Sequence, residues 1–295
     1  MSELKSLTTK QVARLCRVSD ATVKRWEDAG IIKSERTSGG HRRFRIEEIA
    51  RFQRETNLGL KMCHSDESVT RAATRRRVPR NSSTSSLFHA LIGGREEETA
   101  DILISSFLRG EKLPELFDGI VSDAMRRIGD LWRSGELSVA EEHLASRTVL
   151  NSVQKLRAII PVPKMTGNLA LVAAIEGDLH ELPTHLAQVV LESSGWEVLN
   201  FGANTPLYSL TEEILQHSPE LICVSATLIL DLDRTTRDYK DFRHEAVKHD
   251  VSIVLGGSTF KDETVRRRFP AHLHAESFNH LFAFAQKLAV RDNKF

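Results

Sequence analysis

Cysteine is scarce in this chain: three occur in 295 residues, Cys16, Cys63 and Cys223, and no two form a Cys-x-x-Cys pair. Such usage argues against a structural zinc site or a disulfide framework and for a reducing compartment. Long apolar runs are missing too, as is a secretory-type pattern at the start of the sequence. Both absences disfavour membrane and export classes and leave a cytoplasmic protein as the expectation. What is present is ordinary in bulk. Apolar residues make up 40% of the chain, normal for a globular protein, and the length suggests two or three domains.

The net charge of +1 hides an asymmetry. Residues 1–90 hold 19 Lys+Arg against 10 Asp+Glu, whereas the remainder holds 22 against 30. A basic N-terminal third on an acidic remainder is the footprint of a DNA-binding head.

The pattern along the chain divides it further. Thr8 with Gln11 makes a capping-box spacing, and Val12, Leu15 and Cys16 follow at helical intervals. Ser19 can cap a second helix carrying Val23 and Trp26 inward, and Gly30 can end it. Two helices with so short a turn are the helix-turn-helix signature. Gly39-Gly40 then bends the chain, and Arg42 and Arg43 lie on a short wing. Residues 61–86, with Arg75-Arg76-Arg77 and Ser82-Ser83-Thr84-Ser85-Ser86, carry almost no apolar content and read as a solvated linker, with an added contact to DNA as the alternative. Helical periodicity returns over residues 87–160, through Ile102, Leu103, Phe107, Leu113, Leu116, Phe117, Ile120 and Met125, as in a helical bundle. From residue 168 onward, apolar runs at 169–175, 197–201, 221–226 and 251–255 alternate with helical stretches at about 184–195, 208–217 and 235–249. That order predicts a parallel sheet covered on both faces, with ligands beyond the carboxyl ends of the strands.

The head carries Thr-x-x-Val-Ala over residues 9–13, Val-Ser-x-x-Thr-Val-x-Arg-Trp over residues 18–26, and Gly-Gly-x-Arg-x-Phe over residues 39–44. In this order the three resemble the MerR family of transcription regulators, with His41 where the family usually has an aromatic residue. The resemblance implies a winged helix-turn-helix whose second helix enters the major groove of a double-stranded DNA operator. Asp20, Ala21, Thr22, Lys24 and Arg25 occupy the exposed start of that helix, and a surface ion pair with Asp28 is the plainer role for Arg25. Arg42 and Arg43 would hold phosphates, and Thr9, Lys10, Arg36 and His41 complete the expected DNA face. The long dimerisation helix usual in the family is not evident after residue 55.

Further on, nine residues separate Trp132 from Glu142-His143, and Asp178-Leu179-His180 precedes Ser225, Thr227 and Gly256-Gly257. Forty-one residues separate Pro183 from Ser225, and 28 separate Thr227 from Gly256. An Asp two residues before a His can accept from one imidazole nitrogen while the other binds metal, fixing the tautomer. Taken alone, Trp132 could equally be a core residue and Glu142-His143 a solvated helix face. The spacing of the whole set resembles the cobalamin fingerprint Asp-x-His-x-x-Gly … Ser-x-Leu … Gly-Gly, and with the upstream set it is similar to the light-sensing, cobalamin-dependent CarH-type branch of MerR regulators.

That resemblance implies a four-helix bundle beside a Rossmann-like cobalamin domain. His180 would ligate cobalt from below. Asp178 would support it, and Ser225, Thr227, Gly256 and Gly257 would meet the nucleotide tail. Trp132 and Glu142 would contact the adenosyl group of adenosylcobalamin, and His143 would be placed to take the cobalt once that group leaves. Two positions depart from the pattern. Thr227 replaces a Leu, and Pro183 replaces a Gly, a change tolerated in a helix's first turn.

The expected chain is therefore multi-domain: a head over 1–60, a linker over 61–86, a helical bundle over 87–163 and an α/β Rossmann-like cobalamin-binding domain over 164–295. Its expected function is a DNA-binding repressor, a homo-oligomer (dimer or tetramer) with no membrane contact, in which light breaks the cobalt–carbon bond and changes oligomeric state. The rival is a MerR-type regulator that has lost cobalamin and answers to another ligand or a protein partner. An enzyme is not expected, since no separate catalytic domain accompanies the head.

Overall fold

The computed structural model describes residues 6–16, 18–46, 48–49, 51–52 and 80–292. Two compact units emerge, one of residues 1–112 with 119–160 and one of residues 113–118 with 161–295. The expected linker lies outside the described residues up to residue 79.

In the first unit, strands β1 (Ser6–Thr8), β2 (Glu35–Arg36) and β3 (Arg42–Arg45) form an antiparallel sheet in the order β1-β3-β2. Helix α1 (Thr9–Cys16) begins at the expected capping box: the Thr8 N–H donates to Gln11 Oε1 at 2.8 Å and the Gln11 N–H to Thr8 Oγ1 at 3.3 Å. Helix α2 (Asp20–Asp28) is capped by Ser19 Oγ, which accepts from the Thr22 N–H, and ends at Gly30 with φ +69°. Val12, Leu15, Cys16, Val23 and Phe44 are buried, and Trp26 packs on Phe52 with ring centroids 4.8 Å apart.

The chain continues through α3 (Arg80–Ile92), α4 (Glu96–Leu108), the single turn α5 (Leu113–Leu116), a π-helical turn over Phe117–Val121, α6 (Ser122–Ser134) and α7 (Val139–Arg157). Helices α3, α4, α6 and α7 pack on one another. Two expectations are corrected here. Ser82 to Ser86 lie within α3 rather than in a linker. Helix propensity is weak in that run, but Leu87, Phe88 and Leu91 are buried and the turn preceding them is drawn into the same helix. Leu113, Leu116 and Phe117 also fall outside the bundle. They belong to the second unit, where the Phe117 ring meets Phe278 edge-on at 6.0 Å.

The second unit is a five-stranded parallel sheet of β4 (Leu169–Ile175), β5 (Glu197–Thr205), β6 (Leu221–Ser225), β7 (Ser252–Gly256) and β8 (Leu273–Ala275), in the order β5-β4-β6-β7-β8. Between the strands run α8 (Leu182–Glu192), α9 (Leu207–His217), α10 (Leu232–Lys248), a 3-10 turn (Ser258–Lys261) and α11 (Glu263–Arg268), and α12 (Phe278–Asp292) follows β8. Alternate strand residues feed two cores. Leu171, Ala173, Ile222, Val224, Ile253 and Leu255 pack with α9 and α10 on one face. Ala170, Val172, Cys223 and Val254 pack with residues of α8 and α12 on the other. Both faces are covered, as the unbroken apolar runs predict. Strand β5 runs four residues past its expected end. It lies at the sheet edge with a shifted register against β4, where half-burial weakens the apolar signal. Strand order reverses between β4 and β6, which sets the crevice of such a sheet outside the carboxyl ends of these two strands.

Candidate functional site

The loop after β4 and the end of β6 meet at that reversal. Asp178 is fully buried there. Its Oδ1 lies 2.6 Å from His180 Nδ1 and accepts from the His180 N–H at 3.0 Å, while Oδ2 accepts from the Thr227 N–H at 2.5 Å. Burial alone would raise the Asp178 pKa. The hydrogen bonds from the His180 ring, the Thr227 N–H and the His180 N–H outweigh it and hold the carboxyl below its usual value. One carboxylate thus ties both loops together and orients the imidazole, whose side chain is 52% exposed. A metal bound by this imidazole would be held through Nε2, since Nδ1 is engaged by Asp178.

Ser225 closes β6 with its hydroxyl buried and without a hydrogen-bond partner among the described residues. A buried hydroxyl left in that state costs free energy unless a ligand completes it. Thr227 contributes its backbone to this cluster. Besides its N–H to Asp178, its carbonyl accepts from Ser258 Oγ at 2.9 Å. The two glycines differ. A Cβ on Gly257 would stand 2.3 Å from the Ala226 carbonyl oxygen, and φ is +104°, so the protein itself requires glycine there. A Cβ on Gly256 would meet only the Ala275 oxygen at 3.6 Å, an ordinary contact. Packing therefore leaves room for a side chain at Gly256.

Pro183 sits in the first turn of α8, where its missing N–H is not needed and its φ suits a helix. Sequence reasoning missed three supports of the same loop. Asn204, at φ +54°, accepts from the Gly177 N–H through Oδ1 at 2.8 Å and donates its own N–H to the Asp178 carbonyl at 2.9 Å. Leu230 packs over Gly177, and Glu181 Oε1 lies 3.2 Å from His185 Nε2. The only sequence signal was an Asn between a Gly and a Pro, a position that tolerates positive φ. Leu179, next to His180 in the chain, and Leu230, which packs over Gly177, are both exposed. A half-exposed imidazole with its tautomer set, a buried unsatisfied hydroxyl and exposed apolar loop residues together fit a corrinoid.

In the first unit, Trp132 lies near the end of α6 and is 48% exposed, so it is not a core residue. Gly135 closes α6 at φ +80°, and Ser138 with Glu141 forms the expected capping box of α7. Glu142 and His143 follow within the first two turns of α7. Glu142 accepts from Ser146 Oγ at 2.6 Å, and the mostly exposed His143 lies 3.7 Å from it.

On the head, Lys10, Ala21, Lys24, Arg25, Arg36 and His41 are exposed, and Thr9, Asp20, Thr22 and Arg43 are partly so. The ion pair with Asp28 that was the plainer alternative for Arg25 is made by Arg42 instead, through Nη2 at 3.2 Å, and Arg42 also binds Glu27 through Nε. Arg42 therefore fastens β3 to α2, whereas Arg25 donates to Thr22 Oγ1 at 3.3 Å.

The family model of MerR family regulatory proteins matches residues 8–44, and that of the B12 binding domain matches residues 85–157. The chain thus combines a MerR-type N-terminal domain with a B12-binding domain. Dimethylamine corrinoid protein 1 of Methanosarcina mazei is 22% identical over 178 residues, 60% of this chain and 82% of that protein. Its namesake from Methanosarcina acetivorans is 21% identical over 183 residues, covering 61% and 85%. The monomethylamine corrinoid protein of Methanosarcina barkeri superposes with a TM-score of 0.58 at 17% identity, over 71% of this chain and 99% of that one, a likeness of fold. A MerR domain joined to a B12-binding domain makes a cobalamin-binding regulator of DNA, and no helix among the described residues is long and apolar enough to cross a membrane.

Proposed function

We propose that this chain is a transcription repressor that carries adenosylcobalamin and uses it to sense light, its oligomeric state setting its grip on the operator. The observation that carries the reading is the Asp178–His180–Thr227 cluster beside the unsatisfied Ser225 hydroxyl, in a chain that also holds a MerR segment. In its adenosyl form the cofactor supplies a cobalt–carbon bond that green light can break. His180 would hold the cobalt through Nε2, with Asp178 keeping the proton on Nδ1. Ser225 would donate to the nucleotide tail, and Gly256 would let it pass close to the backbone. The resemblance alone assigns Trp132, Glu142 and His143 to the cofactor's upper face.

On the head, Lys24, Arg25 and Arg43 would contact DNA from the exposed face of a winged helix-turn-helix. Several heads on one assembly raise the effective concentration at an operator, so loss of the oligomer weakens binding without altering any single contact.

The test is an absorbance spectrum of full-length protein, mixed with adenosylcobalamin in the dark and passed through gel filtration, before and after green light. Corrin bands that co-elute with the protein and change on illumination, together with a shift in elution volume, are expected. Absence of corrin absorbance from the protein peak overturns the reading. His180→Ala should alter the bands. Ser225→Ala should weaken retention while leaving the cofactor-free protein at least as stable as before, because the buried hydroxyl it removes has no partner there.

The rival, a regulator without cobalamin, rests on Pro183 standing where the fingerprint has glycine. Its signature is DNA binding and oligomeric state unchanged by cobalamin and by light.

A further inference from the structure

Along the flank of the sheet runs a cleft of about 620 Å³ that none of the functions above uses. One wall is a stripe of α10: Thr236, Tyr239, Lys240, Arg243, His244 and Val247, at the three- and four-residue intervals of a single helix face. Arg267 and Arg268 at the end of α11, with Pro270, form the other. Helix α10 leads from the carboxyl end of β6 back to the amino end of β7. The cleft therefore descends beside the strands, away from the loops that carry His180 and Ser225.

The lining contains four fixed positive charges, one histidine and no acid. Chance composition does not account for this, because residues 161–295 hold 13 Lys+Arg against 18 Asp+Glu. Lys240, Arg243 and His244 are exposed and have no ion-pair partner among the described residues. Like charges three and four apart on a helix repel one another, so the arrangement costs stability when nothing is bound. Arg268 is steadied by Asp233 and Arg267 by Glu263 at 3.5 Å, but both acids are largely exposed, and such pairs neutralise little. The floor is rigid. The Tyr239 hydroxyl donates to the Pro270 carbonyl at 2.8 Å, and its ring packs on Phe269 at 5.0 Å and Phe242 at 5.8 Å.

We infer that this cleft binds a chain of phosphates. Guanidinium groups match phosphate oxygens in forked geometry, and a Lys adds a point charge. A single small anion would leave most of these cations unmatched, whereas successive phosphates can engage them in turn. The same chemistry is offered by a free polyphosphate, including a nucleoside triphosphate, and by the backbone of DNA already held by the head.

Calorimetric titration of the full-length protein at low salt with sodium tripolyphosphate, and separately with a short duplex lacking the operator, tests this and separates the sources. For tripolyphosphate, the double substitution Lys240→Ala/Arg243→Ala should weaken binding by about tenfold or more, while Lys240→Arg/Arg243→Lys should largely retain it. Arg25→Ala, on the head, should leave it unchanged. Duplex affinity that falls in the alanine variant while tripolyphosphate binding does not would assign the cleft to the DNA backbone. Binding of both probes that is indifferent to the alanine pair, or no binding of either, overturns the inference. Cobalamin is absent from every arm, so the outcome is independent of whether His180 binds cobalt.

Discussion

Asp178 concentrates the chemistry of the sheet domain in one carboxylate. Asp178→Asn keeps the shape but loses the charge, and its amide hydrogens oppose either the Thr227 N–H or the His180 ring. It should cost about 2 kcal/mol in urea unfolding. The folded carboxyl lies below its ordinary value. Its contribution is therefore complete above about pH 4, the unfolded carboxylate's range, and disappears as pH falls through the lower folded value. The gap in urea midpoint between the parent protein and Asp178→Asn should be at its full width above about pH 4 and close on further acidification. The two adjacent glycines give a second contrast at this scale. Gly257→Ala drives a Cβ into the Ala226 carbonyl at positive φ and should destabilise by roughly 1–3 kcal/mol, read as a lowered melting temperature. Gly256→Ala should leave melting within about 0.5 kcal/mol while reducing cobalamin retention. Equal effects of the two on melting would show that Gly256 serves the fold.

Among the elements, β3 and α2 hold their arginines differently: Arg42 is ion-paired and Arg25 is exposed. Arg42→Ala releases Glu27 and Asp28, loosens β3 from α2 and should lower the melting temperature. Arg25→Ala touches no ion pair among the described residues and should leave melting unchanged while weakening binding to DNA and lowering its salt dependence. Comparing thermal melts with DNA titrations for the two variants separates them. Sequence gave no hint of this division, because Arg25 and Arg42 are both basic residues on a basic head, and only the fold brings Glu27 within reach of one of them.

Local signals fared better. Thr8, Ser19 and Ser138 cap the helices their spacing predicts, since a cap and its partner lie three residues apart. Four strands begin within a residue of their apolar runs, and three of them, β4, β6 and β7, are buried on both faces. The serine run before Leu87 misled, as its helical state is dictated by the packing of the next turn rather than by its own propensity. Of the candidate site, the Asp178–His180 pairing was legible from a two-residue spacing. The tie to the Thr227 backbone and the support from Asn204 were not, since they join residues 49 and 26 positions away from Asp178 that only the strand order makes neighbours.

At the scale of the molecule, the chain enters its sheet domain twice. Residues 113–118 are built into it well before residue 161 begins it in earnest. Asp118 accepts from the Phe278 N–H at 2.7 Å, the Asn279 N–H at 3.0 Å and the Asn279 side-chain amide at 2.8 Å, capping α12. Asp118→Ala should therefore cost about 1–2 kcal/mol, as other cap deletions do, and the loss should appear in unfolding of the sheet domain. A fragment starting at residue 161 should show the same deficit, enlarged by the absence of Leu113, Leu116 and Phe117.

The Asp118 cap also has a place in time. A ribosome delivers residue 118 long before residue 278, so the carboxylate waits through the synthesis of almost the whole sheet before the helix it caps exists. Closing so long a loop comes late on the folding route. Asp118→Ala should accordingly leave the rate of refolding nearly unchanged and quicken unfolding, which makes this one side chain a latch on the finished protein and not a guide to its assembly.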